Sequence, residues 1–519
     1  MIIDELKYQI LQQFGFTPTP EQSHALDVFA RFMTDSNPHS VMILRGSAGT
    51  GKTSLSGAIV RTLRAIRHKV MLLAPTGRAA KVFSLSSGVP AYTIHRRIYR
   101  EKAFAGVDGQ FNLNDNLYTD TLFMVDEASM VANMGLGGTT FGSGCLLDDL
   151  IQFVYQGHND RLLLIGDKAQ LPPIGEEESP ALNAAVLEGY GLQVYECDLN
   201  EVLRQSQQSG ILYNATMIRQ MITHDDITQL PKIHFDGFSD IKEMPGAELI
   251  ESLADSYHHV GLDDTIVVTR SNKRANIFNQ GIRNMVLDRE EELCGGDILM
   301  IVKNNYYWTE KEREALKVKS EELREKERGK MGLRGEGEET QAKNSRTGIL
   351  GSSYKTPTSE VPAFLANGDR AKVLRVCRRI DLYGFRFATL LLQFPDYDNY
   401  ELEATVLLDT LTSEAPALTH EQQEQLFRQV EEDYQDIPLK ADRMKAIRGD
   451  QFFNALQVKF AYAVTCHKAQ GGQWAHVYVD QGYMTDDMLT PDYIHWLYTA
   501  FTRATEMLYL VNWPKTQRA

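Results

Sequence analysis

Apolar residues along this chain come in two kinds of run, and their spacing sets out an architecture. Short unbroken runs at residues 41–44, 70–73, 122–125 and 162–165 predict strands covered on both faces, where no polar alternation is needed. Helical patterns fall between several of them, and such alternation predicts a parallel sheet in an α/β domain. A second series at 266–268, 460–464, 477–479 and 507–511 predicts a second α/β domain. From Gly295 to about Asp450 the texture changes to short β-like runs at 370–376 and 385–393, followed by a polar helical pattern at 421–434. This predicts a β-rich insertion in the second domain. Within it, residues 310–339 are dense in Lys, Arg and Glu, and 332–359 are rich in Gly, Ser and Thr. Such a segment has little to bury, so a charged helix running into a mobile loop is expected.

Length and charge narrow the picture. At 519 residues the chain exceeds a single core, and the length suggests about three domains of ordinary size. A hydrophobic content of 43% with 24% charged residues is that of a soluble globular protein. No run of eighteen apolar residues appears, and Met1-Ile2-Ile3-Asp4-Glu5 lacks the basic start and apolar stretch of a signal peptide. A cytoplasmic protein without a membrane partner is therefore expected. Cys145, Cys197, Cys294, Cys377 and Cys466 show no Cys-x-x-Cys pairing and read as ordinary thiols. The net charge of −15 gives no support to polynucleotide binding, so any such contact must come from a local groove.

Directly after the first predicted strand stands Gly46-Ser47-Ala48-Gly49-Thr50-Gly51-Lys52-Thr53, followed by Ser54 and a helical pattern. Glycines let backbone N–H groups turn inward around phosphate oxygens, and the helix N-terminus adds a favourable field. Lys52 is expected to hold the β- and γ-phosphates of ATP and Thr53 to place its hydroxyl on Mg²⁺, with residues 46–54 as the nucleotide-binding set. The third apolar run ends in Asp126-Glu127-Ala128-Ser129. At the C-terminal end of a strand both acids face the ligand crevice of an α/β sheet. Asp126 is expected to hold the metal through water and Glu127 to polarise the attacking water. Taken alone, the same string is equally an exposed acidic turn.

The fourth run leads into Gly166-Asp167-Lys168-Ala169-Gln170-Leu171-Pro172-Pro173, locally a stiff turn. The string resembles motif III of superfamily 1 helicases, and the resemblance implies that Gln170 senses the γ-phosphate. Further strings fall in helicase order from Gln22 to Arg503. Thr19-Pro20-Glu21-Gln22 resembles the Q motif, in which Gln22 reads the adenine edge, and is equally a helix N-cap with a polar first turn. Ala74-Pro75-Thr76-Gly77-Arg78 resembles motif Ia, and Thr93-Ile94-His95 the motif after it. The resemblance implies contacts of Pro75, Thr76, Arg78, Thr93 and His95 with strand phosphates, although ordinary strand-to-loop junctions look the same.

Leu199-Asn200-Glu201-Val202-Leu203-Arg204-Gln205 resembles motif IV, with Asn200 where relatives often carry Thr. Tyr498-Thr499-Ala500-Phe501-Thr502-Arg503 resembles motif VI. Arg204 and Arg503 are thereby implied to reach the nucleotide, Arg503 as an arginine finger that acts only when the cleft closes. Thr465-Cys466-His467-Lys468-Ala469-Gln470-Gly471-Gly472-Gln473-Trp474 resembles motif V. It implies DNA contacts from Thr465, His467 and Lys468 and a ribose contact from Gln473, where relatives commonly have Glu. Gly296-Asp297, Asn304-Asn305-Tyr306 and Asn367-Gly368-Asp369 resemble strings that bracket an SH3-like barrel in RecD-like and Dda-like enzymes, here separated by the charged segment. Residues 96–120 stand where those relatives carry a duplex-splitting pin. Phe104 is the wedge candidate, with Phe111 and Tyr118 beside it, although aromatics in a hairpin also pack its own base.

The fold class expected is α/β, with two RecA-like P-loop NTPase domains, a small pin in the first and a β-rich SH3-like insertion in the second. Residues 1–195 are assigned to motor domain 1, with the pin at about 96–120, and 196–294 with 451–519 to motor domain 2. The insertion is assigned to 295–450, with a mobile charged segment at 309–360. Resemblance to the RecD-like and Dda-like branch implies ATP- and Mg²⁺-dependent 5′-to-3′ movement along single-stranded DNA, with unwinding of forked DNA alongside replication or repair proteins. An RNA track, or a nucleotide-controlled switch without turnover, stays open from the residues alone. Glu127 with two candidate arginines speaks against the switch.

Overall fold

The computed structural model describes residues 2–101, 111–135, 142–201, 208–224, 229–332, 361–362 and 364–519. The first series of apolar runs forms β1 (Ser40–Gly46), β2 (Lys69–Ala74) and β3 (Ala91–Thr93). An antiparallel pair follows, β4 (Tyr99–Glu101) and β5 (Phe111–Leu113), and then β6 (Thr121–Val125), β7 (Arg161–Gly166) and β8 (Gln193–Leu199). Among the described residues all but β4 and β5 join one parallel sheet in the order β3-β2-β6-β7-β1-β8. Every residue of β1, β6 and β7 is buried, which explains their lack of polar alternation. Leu55, Ile59 and Leu63 of the helix Lys52–Ala65 and Phe29 and Phe32 of the helix Pro20–Thr34 cover one face. Because β6, β7 and β1 are neighbours, the loops that leave their C-terminal ends stand side by side, about 5 Å apart per strand. β8 pairs with β1 from Ser40↔Gln193 to Gly46↔Leu199, so the first sheet runs four residues past the expected boundary at 195.

The second parallel sheet is split along the chain. β9 (Ile241–Met244) and β10 (Thr265–Thr269) precede the barrel strands β11 (Ile298–Ile301), β12 (Arg370–Leu382), β13 (Phe385–Phe394), β14 (Tyr400–Leu407) and β15 (Leu456–Phe460). β16 (Ala463–Thr465), β17 (Trp474–Asp480) and β18 (Ala504–Val511) follow, and the sheet order is β16-β10-β17-β18-β9. The apolar run 460–464, expected as one strand, is therefore two. Asn279 makes the break possible: its Nδ2 donates to the carbonyls of Phe460 (3.2 Å) and Ala463 (2.9 Å), and its Oδ1 accepts from Ala463 N (2.8 Å). Its amide satisfies backbone groups that neither strand pairs.

Two compact units result. Met1–Glu292, Thr412–Pro416 and Phe460–Ala519 hold both parallel sheets, and Leu293–Leu411 with Ala417–Lys459 hold the barrel. The insertion thus ends at Lys459 rather than 450, because β15 closes the barrel. Phe385, Phe387, Leu407, Leu426, Val430 and Ile447 form a core in this unit, with the helix His420–Asp433 where a polar helix was expected. The charged helix runs over Tyr307–Gly332, and residues 333–360 lie outside the described residues. Among the described residues no helix is long and apolar enough to cross a membrane.

Candidate nucleotide site

The loop after β1 takes the shape its glycines allow. Gly49 and Gly51 have φ of 77° and 82°, where a Cβ would be strained, and a Cβ on Gly46 would stand 2.9 Å from Lys52 Cγ. Lys52 opens the helix Lys52–Ala65 and folds its ammonium back over the loop, donating to the carbonyls of Gly46 and Ser47, the latter at 2.9 Å. Thr50 Oγ1 donates to Ser47 O (2.8 Å) and closes the turn. Gln22 supports the loop from behind. Its Nε2 donates to Thr50 O (2.9 Å), its Oε1 accepts from Thr19 N (3.0 Å), and it completes a capping box with Thr19. Only 1% of Gln22 is exposed. The helix-cap reading of Gln22 is thus present in the structure.

At the end of β6 the backbone of Glu127 is left-handed (φ 53°), a conformation that costs a non-glycine residue about 1–3 kcal/mol. Glu127 N donates to Asp126 Oδ1 (3.0 Å). Desolvation first, and the Glu127 carboxylate second, push Asp126 well above the usual carboxylate range. An acid in that state beside a second carboxylate fits a divalent cation, whose charge would remove the penalty.

After β7, Gln170 lies between the two halves of the site. With its amide oriented to satisfy both neighbours, the nitrogen donates to Glu127 Oε2 (3.1 Å) and the oxygen accepts from the Arg503 guanidinium (3.2 Å). Arg503 is 2% exposed and donates further to the carbonyls of Thr499 (3.0 Å) and Gly472 (3.2 Å) and to Thr502 Oγ1 (3.1 Å). These acceptors are all neutral.

A cleft of about 410 Å³ lies among these residues. The first sheet lines it with Ser47, Ala48, Gly49, Gly51, Lys52, Thr53, Asp126, Glu127 and Gln170. The segments around the second sheet add Ser209, Ile211, Leu212, Gln473, Arg503 and Thr505. Of the expected nucleotide set, Gly46, Thr50, Ser54 and Gln22 are not among these lining residues, and Arg204 lies outside the described residues. Sequence reading missed Tyr498, Thr499 and Arg219. The Tyr498 hydroxyl donates to Asp167 Oδ2 (2.6 Å) and accepts from Ala48 N (3.0 Å), while Thr499 Oγ1 accepts from Leu171 N (2.8 Å). Arg219 donates to Ser47 Oγ. Tyr498 and Thr499 sit inside the motif VI string, but nothing in the sequence marks Arg219.

Several residues expected on DNA also make contacts within the chain. Thr76 and Thr93 are N-caps, their hydroxyls accepting from Ala79 N (3.2 Å) and Arg96 N (3.3 Å). Arg78 stacks on Trp474 at 4.1 Å and donates to Gln473 O (2.7 Å) rather than extending to solvent. Burial pushes His95 down to about 4, so its imidazole is neutral near pH 7 and brings no charge to a phosphate. Pro75 is half-buried at the end of β2. Thr465 is the N-cap residue of the short helix Cys466–Ala469, which carries His467 exposed and Lys468 half-buried. Phe104 lies outside the described residues, and Tyr118 packs edge-on against Phe123 of β6 (5.5 Å).

Residues 18–230 match the family described as AAA domain, and residues 460–511 match the UvrD-like helicase C-terminal domain. The chain is 32% identical over 155 residues to the ATP-dependent RecD2 DNA helicase of Deinococcus radiodurans, covering 30% of this chain and 18% of that protein. It is 23% identical over 296 residues to the ATP-dependent DNA helicase dda of Enterobacteria phage T4, covering 54% of this chain and 60% of that one. The matches thus span less than two thirds of either relative. The crystal structure of Pif1 helicase from Candida albicans aligns at 15% identity with a TM-score of 0.43, covering 97% of this chain and 96% of that one.

Proposed function

We propose that this chain, a relative of superfamily 1 helicases through both of its matched regions, is an ATP-hydrolysing motor that moves 5′ to 3′ along single-stranded DNA and unwinds forked duplexes. The observation that carries the reading is the Glu127–Gln170–Arg503 connection, which ties a carboxylate of the first sheet to an arginine beside the second. A binding switch needs no such link.

In this reading Lys52 and the inward N–H groups of the loop bind the polyphosphate of ATP. Thr53 and Asp126 would hold Mg²⁺, which supplies charge neutralisation at the phosphates when bound. Glu127 accepts a proton from the attacking water as its oxygen bonds to the γ-phosphorus and the bond to the β-phosphate oxygen breaks. Arg503 stabilises the charge on the transferring group. Gln170 then reports the change, because its two partners lie on either side of the reaction. The linkage continues from Gln170 through Leu171, whose N–H is held by Thr499 and whose carbonyl accepts from Gln470 (2.8 Å) in the motif V string. DNA rather than RNA is favoured because RecD2 and dda are both DNA helicases.

The test is unwinding of forked DNA and RNA duplexes with 5′ or 3′ tails, together with ATPase activity with and without single strands. Expected are strand-stimulated hydrolysis and unwinding of 5′-tailed DNA, weakening as salt rises. Nucleotide binding without turnover would establish the switch instead, and activity on 3′-tailed substrates alone would reverse the polarity.

A further inference from the structure

We infer that Arg219 is a nucleotide-site arginine, a contact for the terminal phosphate of a nucleoside triphosphate, contributed from outside every helicase-like string. This inference rests on the functional reading above.

Three observations converge on it. The helix Gly210–Thr223 begins at the cleft, with Ile211 and Leu212 in its lining. Arg219 follows Leu212 by seven residues, two helical turns on the same face. The guanidinium reaches the phosphate loop, where it donates to Ser47 Oγ, and is steadied by Asn200 Oδ1 (3.3 Å) and Asn200 O (3.4 Å). Ser47 is also the residue whose carbonyl receives the Lys52 ammonium at 2.9 Å. Two cations therefore meet one residue of the loop that the functional reading gives to the phosphates.

Charge supplies the third observation. Among the described residues, every acceptor of Arg219 is neutral, a hydroxyl, an amide oxygen or a carbonyl. Arg45, one position before the loop, contrasts with it: Asp198 (2.6 Å) and Glu196 (2.8 Å) neutralise that guanidinium inside the fold. A half-buried arginine bonded only to neutral groups keeps its charge for an anion, as Arg503 does. When a triphosphate enters, Arg219 exchanges the Ser47 hydroxyl for a phosphate oxygen, and the gain appears as preference for triphosphate over diphosphate.

The full chain, its Arg219→Ala variant and its Arg219→Lys variant should be titrated at equilibrium with ADP and with a non-hydrolysable ATP analogue, in Mg²⁺ and without DNA. Arg219→Ala is expected to weaken the triphosphate analogue by about tenfold and to leave ADP within about twofold, with Arg219→Lys in between. Should the alanine variant fail to fold, Arg219→Lys carries the test, with the same triphosphate-selective weakening expected. Equal weakening of both nucleotides, or no change in either, overturns the assignment while the functional reading stands. A wild-type chain that binds neither nucleotide overturns both.

Discussion

The nucleotide cleft and the surface expected to grip DNA are read from the same kind of motif string, yet the chain uses their residues differently. In the cleft, Lys52, Thr53, Asp126, Glu127, Gln170, Gln473 and Arg503 converge on one cavity. In the other set, Thr76 and Thr93 cap their own helices and Arg78 lies on Trp474. A site that reads phosphate and metal requires particular side-chain chemistry at fixed distance. A site that holds a polymer backbone can use helix ends and peptide N–H groups, which the named side chains position. In this structure the first set converges on one cavity, whereas Thr76, Thr93 and Arg78 of the second are engaged in contacts elsewhere within the chain.

That contrast orders the expected effects of mutation. Lys52→Ala should reduce ATP hydrolysis to background, since the phosphates lose their lysine charge; residual turnover above about one per cent in a steady-state assay would break the cleft side of the comparison. Glu127→Gln should lower turnover at least about a hundredfold while ATP still binds, and near-normal turnover would remove Glu127 as the water activator. Arg503→Ala should cost about tenfold to a hundredfold in turnover and little in ATP affinity. If affinity alone falls, Arg503 is a ground-state contact. The smallest change is expected at Thr93→Ala, which should lower unfolding stability by about 1 kcal/mol, measured in urea, and leave DNA affinity within about twofold. A large, salt-dependent loss of DNA affinity there would make Thr93 a phosphate contact after all.

What the sequence discloses divides along similar lines. The unbroken runs at β1, β6 and β7 announce a buried sheet because every position in them is apolar. The run at 460–464 misleads because the same apolar residues serve the end of a barrel strand and the start of a sheet strand, and only Asn279, far away in sequence, reveals the break. Gln22 reads two ways, and its capping geometry is a matter of three-dimensional placement. Arg219 has no local signal: it follows Ile211, Ala215 and Ile218, an ordinary buried stripe, and its importance comes from a loop 172 positions away.

The division of the second sheet bears on how the chain is made. β10 lies between β16 and β17, and both of these follow the barrel in the chain. Translation at about 5–20 residues per second needs roughly 10–40 s to cross the roughly 200 residues that separate β10 from its neighbours. Throughout that interval the apolar Ile266, Val267 and Val268 have neither flanking strand, and the barrel between them cannot close until β15 arrives at its end. The newborn chain thus carries an unpaired hydrophobic strand past the ribosome exit, a natural point of capture for holdase chaperones and for aggregation when they are scarce.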